Sequence, residues 1–285
     1  MTDGQLPERV LQEELLGASV VAGSAAVAIE DPVVDIDGEQ VGFVADRERA
    51  VLRIRGVARF AVDRGRHVIV ERDPLAMPGM VHAYLNSTVI SLLLAQRGCF
   101  ALHANAVEIA GAAVLIAGAS GAGKSTTAAR LHQRGCRILA DDLSPLDIDA
   151  EGILLRPTDR GFRLWPATAA ALGIDVSGAR RAVPSSEKLL LDHAPADPAP
   201  VRAVVVLAGP HDRPHVESRR VRGAQAVRLV EANGYRSELL RPVWPAELFE
   251  WAVEIVSRVP VFLLHRPDHG WSVDEVADAI EASVR

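Results

Sequence analysis

The sequence predicts an α/β protein fronted by a small β-rich domain. Three observations carry that expectation. Short segments of alternating apolar and polar residues fill the chain up to about residue 77. A continuous apolar run, Ala112 to Ala117, is followed at once by a glycine-rich loop and an alanine-rich stretch, as expected of a strand buried on both faces that feeds a helix. A second apolar run, Ile138-Leu139-Ala140, follows that helix and completes a strand–loop–helix–strand unit. Pro74 and Pro78 break the first pattern. The boundary is placed there, with a β-rich domain over residues 1–77 and a second domain over 78–285.

The elements follow in order. Val33 to Asp37 leads into Gly38, and Ala50 to Arg55, Phe60 to Asp63 and His67 to Glu71 alternate as half-buried strands do. Val81 to Gln96 has Leu85, Val89, Leu92 and Leu93 at helical spacing, and Gly98 stops it. Phe100–His103 and Ala106–Ile109 read as two strands. After the strand 112–117, a helix runs from Lys124 to about Arg134, Gly135 ends it, and Arg137 to Ala140 is the next strand. Further strands are expected at 153–155, 203–207 and 216–220, and helices at 224–231, 246–258 and 273–283. Residues 192–200, with three prolines, are expected to be a loop.

Composition sets limits. The 285 residues are 49% hydrophobic and 24% charged, which supports a folded core. Only 4% are aromatic, so Ala, Val, Leu and Ile must fill that core. Trp165, Trp244, Trp251 and Trp271 are expected to be packing anchors. The net charge of −6 argues against a general basic patch, and no nucleic-acid partner is expected. No apolar run approaches the ~20 residues of a membrane helix, so no membrane partner is expected. Met1 to Glu14 is polar and acidic, without the pattern of a secretory leader, and a cytoplasmic location is expected. Cys99 and Cys136 form no CxxC, which points to buried free thiols. The sequence is compatible with a homo-oligomer.

The chemistry concentrates in Gly118-Ala119-Ser120-Gly121-Ala122-Gly123-Lys124-Ser125, which fits G-x-x-x-x-G-K-[ST] in full between a strand and a helix. Glycines let backbone N–H groups turn inward around phosphate oxygens, and a helix N-terminus adds partial positive charge. Lys124 can reach the β- and γ-phosphates, the Ser125 hydroxyl can ligate Mg²⁺, and Thr126 is grouped with them as nucleotide-binding. The motif alone leaves ATPase, GTPase, kinase and transporter open. Asp141 and Asp142 end the next strand, with Asp141 only 17 residues after Lys124. Carboxylates there serve Mg²⁺ or an attacking group, or one of them caps the following turn. His103 lies 21 residues before Lys124, at a strand end. Arg160 and Arg163 could bind an acceptor carboxylate or transferred charge, or form a solvated face. Lys188 is a weaker phosphate-contact candidate.

The ordered set Leu102-His103, Gly118–Ser125, Arg134-Gly135 and Ala140-Asp141-Asp142 spans about forty residues. It resembles the catalytic core of the HPr kinase/phosphorylase family, which has a Leu-His pair, a GxSGxGKS loop, an Arg-Gly before the next strand and an Ala-Asp-Asp ending it. The resemblance implies a phosphoenolpyruvate-carboxykinase-like P-loop kinase core over 78–285, and phosphoryl transfer from ATP, with Mg²⁺, to a serine hydroxyl. It implies that Asp141 accepts the serine proton, that Asp142 supports it or binds Mg²⁺ through water, and that His103 lies beside the transferred phosphate. The chain departs from the family where it has Asp159-Arg160-Gly161-Phe162-Arg163-Leu164-Trp165-Pro166 in place of a GLGIINV signature. The HPr substrate, reverse phosphorolysis and a hexamer are therefore not carried over. In general plan the chain is similar to HPr-kinase-related proteins that accompany peptide tailoring, including lasso-peptide serine kinases. That implies a peptide or small protein as acceptor, with free serine or a non-catalytic nucleotide switch as alternatives.

Overall fold

The structure, a computed structural model, describes residues 17–25, 33–36, 39–158, 161–182, 186–194 and 196–284. The expected turn at Gly38, the acidic N-terminal stretch and Arg160 lie outside those residues. Two compact units emerge. One takes the described residues up to Phe100 together with Arg236–Leu248, and the other takes Ala101–Ala182, Ser186–Tyr235 and Phe249 onward.

The first unit is built on six strands: β1 (Ser19–Ala22), β2 (Val33–Ile36), β3 (Glu39–Ala45), β4 (Arg49–Ile54), β5 (Ala58–Asp63) and β6 (His67–Arg72). They form one sheet in the order β1-β6-β5-β4-β3-β2. Strands β2 to β6 form an antiparallel meander, and β1 joins β6 in parallel. The four strands expected from alternation are present. The sequence reading missed β1 and β3, because β3 carries Gly42 within an unpatterned apolar run. The expected helix over 81–96 is a helical run in three pieces: α1 (Met80–Tyr84), a π-turn (Leu85–Val89) and α2 (Ile90–Gln96). The Ser87 hydroxyl donates to the Ala83 carbonyl, four residues back, within the stretch where the helix widens. At the helix end Gln96 donates to the Val62 carbonyl (3.2 Å) and accepts from the Gly65 N–H (2.7 Å), while Arg97 Nε donates to the Gly65 carbonyl. These bonds tie the helix to the β5–β6 hairpin, so the first unit runs past Pro78 to Phe100.

The second unit is centred on β8 (Ala112–Gly118), buried along its whole length as the apolar run predicts. β7 (Phe100–Ile109) is one continuous strand rather than two, and it runs antiparallel to β8. It also carries β9 (Arg137–Ala140) and β10 (Leu143–Ile148), and β11 (Ile153–Leu155) pairs with β10. On the other side of β8, β15 (Ala199–Leu207) runs parallel to it, followed by the parallel β17 (Val261–His265) and the antiparallel β16 (Glu217–Val221). The order across this mixed sheet is β11-β10-β7-β8-β15-β17-β16. The expected loop over 192–200 ends early, since Ala199 and Pro200 already belong to β15. A separate small sheet joins β12 (Gly161–Leu164), β13 (Arg180–Arg181) and β14 (Leu189–Asp192). Sequence reading did not assign β10, β12, β13, β14 or β17.

Helix α3 (Lys124–Gln133) packs on the sheet through Ala128, Ala129 and Leu131, against Val114, Ile116 and Ile138. Two alanines at that contact let the backbone approach closely. Four helices follow, α4 (Pro166–Leu172), α5 (Gly223–Ala232), α6 (Ser237–Leu240) and α7 (Pro245–Arg258). Of these, α5 and α7 fall where helical spacing predicts them. Helix α8 (Val273–Ser283) joins the core of α3 through Val276, Ala277 and Ile280. Arg134 and Arg130 at the end of α3 pair with Asp274, and Arg134 also pairs with Asp278 (2.6 Å). Among the described residues, no helix is long and apolar enough to cross a membrane.

Candidate active site

Strand register brings the chemistry to one edge of the sheet. Ala104 lies opposite Ala117, so His103 at the start of the antiparallel β7 neighbours Gly118 at the end of β8. Ala106 lies opposite Ala140 of β9, which puts Asp141 and Asp142 at the same end. The Ala104 N–H donates to the Asp142 carbonyl (3.2 Å). The glycine loop leaves β8 at this edge, where strand carboxyl ends of open α/β sheets receive ligands.

The loop needs its glycines. Gly118 has φ +141°, and a Cβ there would lie 2.6 Å from the Leu207 carbonyl oxygen. Gly123 has φ +104° and opens helix α3. Ala119, Ser120 and Gly121 are exposed, whereas Ala122, Gly123, Ser125 and Thr126 are half-buried. Lys124 is buried, and its ammonium donates to the carbonyls of Gly118 (2.7 Å) and Ala119 (3.3 Å). The cation is thus held at the loop's own mouth.

The two carboxylates have different surroundings. Asp141 is 1% exposed. Its Oδ1 accepts from the Asn105 amide (2.6 Å) and its Oδ2 from the Arg163 backbone N–H (2.9 Å), with Arg163 Nε at 3.9 Å. Asp142 has φ +65°, and the Leu143 N–H donates to the Asp141 carbonyl (2.8 Å) across it. This is a γ-turn of positive φ, a strained form of the kind held at functional sites. It turns Asp142 away from its neighbour. The Asp142 carboxylate meets the Arg163 guanidinium (2.9 Å) and His103 Nε2 (3.6 Å), and its side chain keeps 24% exposure. Burial pushes its pKa up. The His103 hydrogen bond and the charges of Arg163, His103 and Lys188 outweigh that and hold the carboxyl well below its ordinary value.

His103 is held by its backbone and its ring. Its N–H donates to the Asn233 carbonyl (2.7 Å), and its imidazole meets Tyr235 edge-on with centroids 5.7 Å apart. Arg163 touches both carboxylates, one through its backbone and one through its guanidinium. Lys188 adds charge near Asp142 and sits 5.6 Å over the Trp165 ring.

Sequence reasoning missed Asn105, which fell in the gap between two expected short strands; in the continuous β7 it lies two residues after His103, on the same face. It also erred on the tryptophans. Trp244 and Trp251 are buried anchors, but Trp165 is 49% exposed and Trp271 56% exposed. Cys99 and Cys136 are free thiols, half-buried rather than buried. Burial still pushes the Cys136 thiol up, helped by Glu281.

For Mg²⁺, the donor set has the right chemistry. Ser125 offers a hydroxyl and Asp142 an ionised carboxylate, both hard oxygen donors. Mg²⁺ commonly takes one or two protein oxygens and fills its shell with phosphate and water. Among the described residues no group of three or more His, Cys, Asp or Glu side chains could form a dedicated cage.

A glycine loop feeding a helix thus meets a His and an acidic pair on flanking strands at one edge of a mixed α/β core. Residues 94–155 match the family described as the HPr Serine kinase C-terminal domain. The HPr kinase/phosphorylase of Treponema pallidum (strain Nichols) is 56% identical over 77 residues, covering 25% of this chain and 24% of that protein. That of Geobacillus sp. (strain WCH70) is 46% identical over 55 residues, covering 19% of this chain and 18% of the relative. The chain thus spans about a quarter or less of the length of these curated relatives. A solved structure, the Hpr(Ser) kinase/phosphatase from Coxiella burnetii, overlays at a TM-score of 0.35 with 18% identity, covering 65% of this chain and 88% of the other. In the segment that carries its loop and acidic pair, this chain is HPr-kinase-like.

Proposed function

We propose that the chain is an ATP- and Mg²⁺-dependent phosphotransferase of the phosphoenolpyruvate-carboxykinase-like P-loop class. It moves the γ-phosphoryl group to a serine hydroxyl of a peptide or small protein. The observation that carries the reading is the convergence of Lys124, His103, Asp142 and Arg163 at one sheet edge. The second unit supplies that machinery, and the six-stranded sheet of the first unit has edge strands of the kind that can pair with an extended acceptor.

The loop amides from Gly118 to Thr126 cradle the phosphates, and Lys124 swings from its carbonyl partners to neutralise their charge. The Ser125 hydroxyl would hold Mg²⁺ and the Asp142 carboxylate would support it, and when bound the metal would neutralise charge on the phosphate oxygens. In place of the proton-accepting role that the resemblance implies for it, Asp141 is buried with both of its oxygens engaged. It serves to fix Asn105 and the Arg163 backbone, which locks the strand end. Asp142 has the open face, and it accepts the serine proton as the serine oxygen bonds to the γ-phosphorus. The bond from that phosphorus to the β-bridging oxygen breaks, and ADP leaves. His103 and Arg163 hold the Asp142 carboxylate in place, and the Arg163 guanidinium adds positive charge where the transferred group passes.

The test is transfer of label from γ-labelled ATP to serine-containing peptides, free serine and water, with wild type beside Lys124→Ala. Label on peptide, lost in the variant, supports the reading. Label on free serine alone points to a small-molecule kinase. Nucleotide binding with no labelled acceptor contradicts kinase activity.

A further inference from the structure

A cleft of about 170 Å³ opens beside the glycine loop, inside the second unit. One wall is Gly123 and Thr126, where the loop becomes helix. The floor is Leu207 and Leu264, at the carboxyl ends of β15 and β17. The outer wall is Arg266 and Trp271, from the segment that leads into α8. Whole drug-sized ligands occupy pockets of about 300–1,000 Å³. This cleft therefore takes one ring system and leaves the rest of a ligand on the loop.

The outer wall is built for a flat, polar-edged group. Trp271 is 56% exposed and lends its indole to a cleft of mixed lining, with Leu207 and Leu264 beside Thr126, Arg266 and Ser272. An aromatic ring on the rim of a pocket offers a flat face on which a ligand ring can stack. Arg266 is half-buried, and its guanidinium makes no hydrogen bond or ion pair with the described residues. Its donors can therefore serve a ligand in the cleft, next to a loop shaped for phosphate.

We propose that the nucleoside end of the nucleotide occupies this cleft, with its base stacked on Trp271 and with Arg266 donating to acceptors on the ribose or base edge. The proposal rests on the nucleotide-dependent reading above and extends it to the part of the nucleotide that the glycine loop leaves unread. Stacking on an aromatic face tolerates different bases, so ATP and GTP both fit this wall.

Two probes separate base recognition from phosphate recognition. ATP and inorganic tripolyphosphate are titrated, with Mg²⁺, into the full chain by calorimetry. Trp271→Ala weakens ATP about ten- to hundred-fold, which is about 1.4 to 2.8 kcal/mol. Trp271→Phe, which keeps a stacking face, recovers most of that. Tripolyphosphate binds all three proteins alike. Unchanged ATP affinity in Trp271→Ala overturns the proposal, and the nucleotide reading survives if wild type binds both probes. Equal weakening of ATP and tripolyphosphate also overturns it, because Trp271 then supports the loop and not the base. If wild type binds neither probe, the nucleotide reading fails and this assignment falls with it.

Discussion

Asp141 and Asp142 adjoin in sequence, but the structure predicts opposite consequences for losing them. Asp141→Ala takes the acceptor away from two buried donors, the Asn105 amide at 2.6 Å and the Arg163 N–H at 2.9 Å. Each stranded donor costs about 1–3 kcal/mol. Removing one partner of a buried charged network costs about 3–5 kcal/mol. The expected loss for Asp141→Ala is thus about 3–5 kcal/mol, a large share of the ~5–15 kcal/mol of a typical domain. Asp141→Asn keeps one acceptor oxygen and should lose about half as much. Asp142→Gly behaves differently. It gives up a partly exposed pair with Arg163 but relaxes a backbone at φ +65°, where strain costs about 1–3 kcal/mol. Its stability should stay within about 1 kcal/mol of wild type. Urea unfolding followed by circular dichroism reads all three variants. If Asp141→Ala unfolds at the wild-type midpoint, the carboxylate is not the buried keystone described here, and the division of labour between the two aspartates fails.

Other outcomes follow from the same geometry. Gly118→Ala puts a Cβ 2.6 Å from the Leu207 carbonyl oxygen at φ +141°, so it should cost about 1–3 kcal/mol and abolish tripolyphosphate binding by calorimetry. The Asp142 carboxyl is held below its ordinary value of 3.8. Its stabilisation is complete above that value and drains away as pH falls below it. The stability gap between wild type and Asp142→Asn should therefore be flat from pH 8 to about 5 and narrow below about 4, as read by acid unfolding. Burial raises the Cys136 thiol, so at pH 8 it should react with a maleimide about several-fold more slowly than a free cysteine.

The site was legible where the signal is local. The loop motif, the short interval to Asp141-Asp142 and the strand-end His103 all lie within one strand–loop–helix–strand unit, so spacing alone brought them together. What spacing could not show was orientation. A γ-turn at Asp142 sends adjacent carboxylates to different environments, and a sequence motif carries no trace of that reversal. Asn105 becomes visible only once β7 is known to be a single strand, because two short strands would not hold it in register with His103. Arg163 acts through its backbone, 22 residues from Asp141, and β12 was unread because its four residues show no sustained alternation. Trp271 illustrates the limit of composition. Four tryptophans in an aromatic-poor chain argue for anchors, yet exposure depends on where a loop sets the ring.

The most direct measurement of the central claim is the rate of label transfer from γ-labelled ATP to an accepted serine substrate. It is made at saturating nucleotide and compared between wild type and Asp142→Asn. The account predicts a fall of about 10²–10⁴-fold, with ATP affinity close to wild type and the variant still folded at the assay pH. Transfer at the wild-type rate in Asp142→Asn would contradict it and remove this sheet edge as the place where the proton is taken.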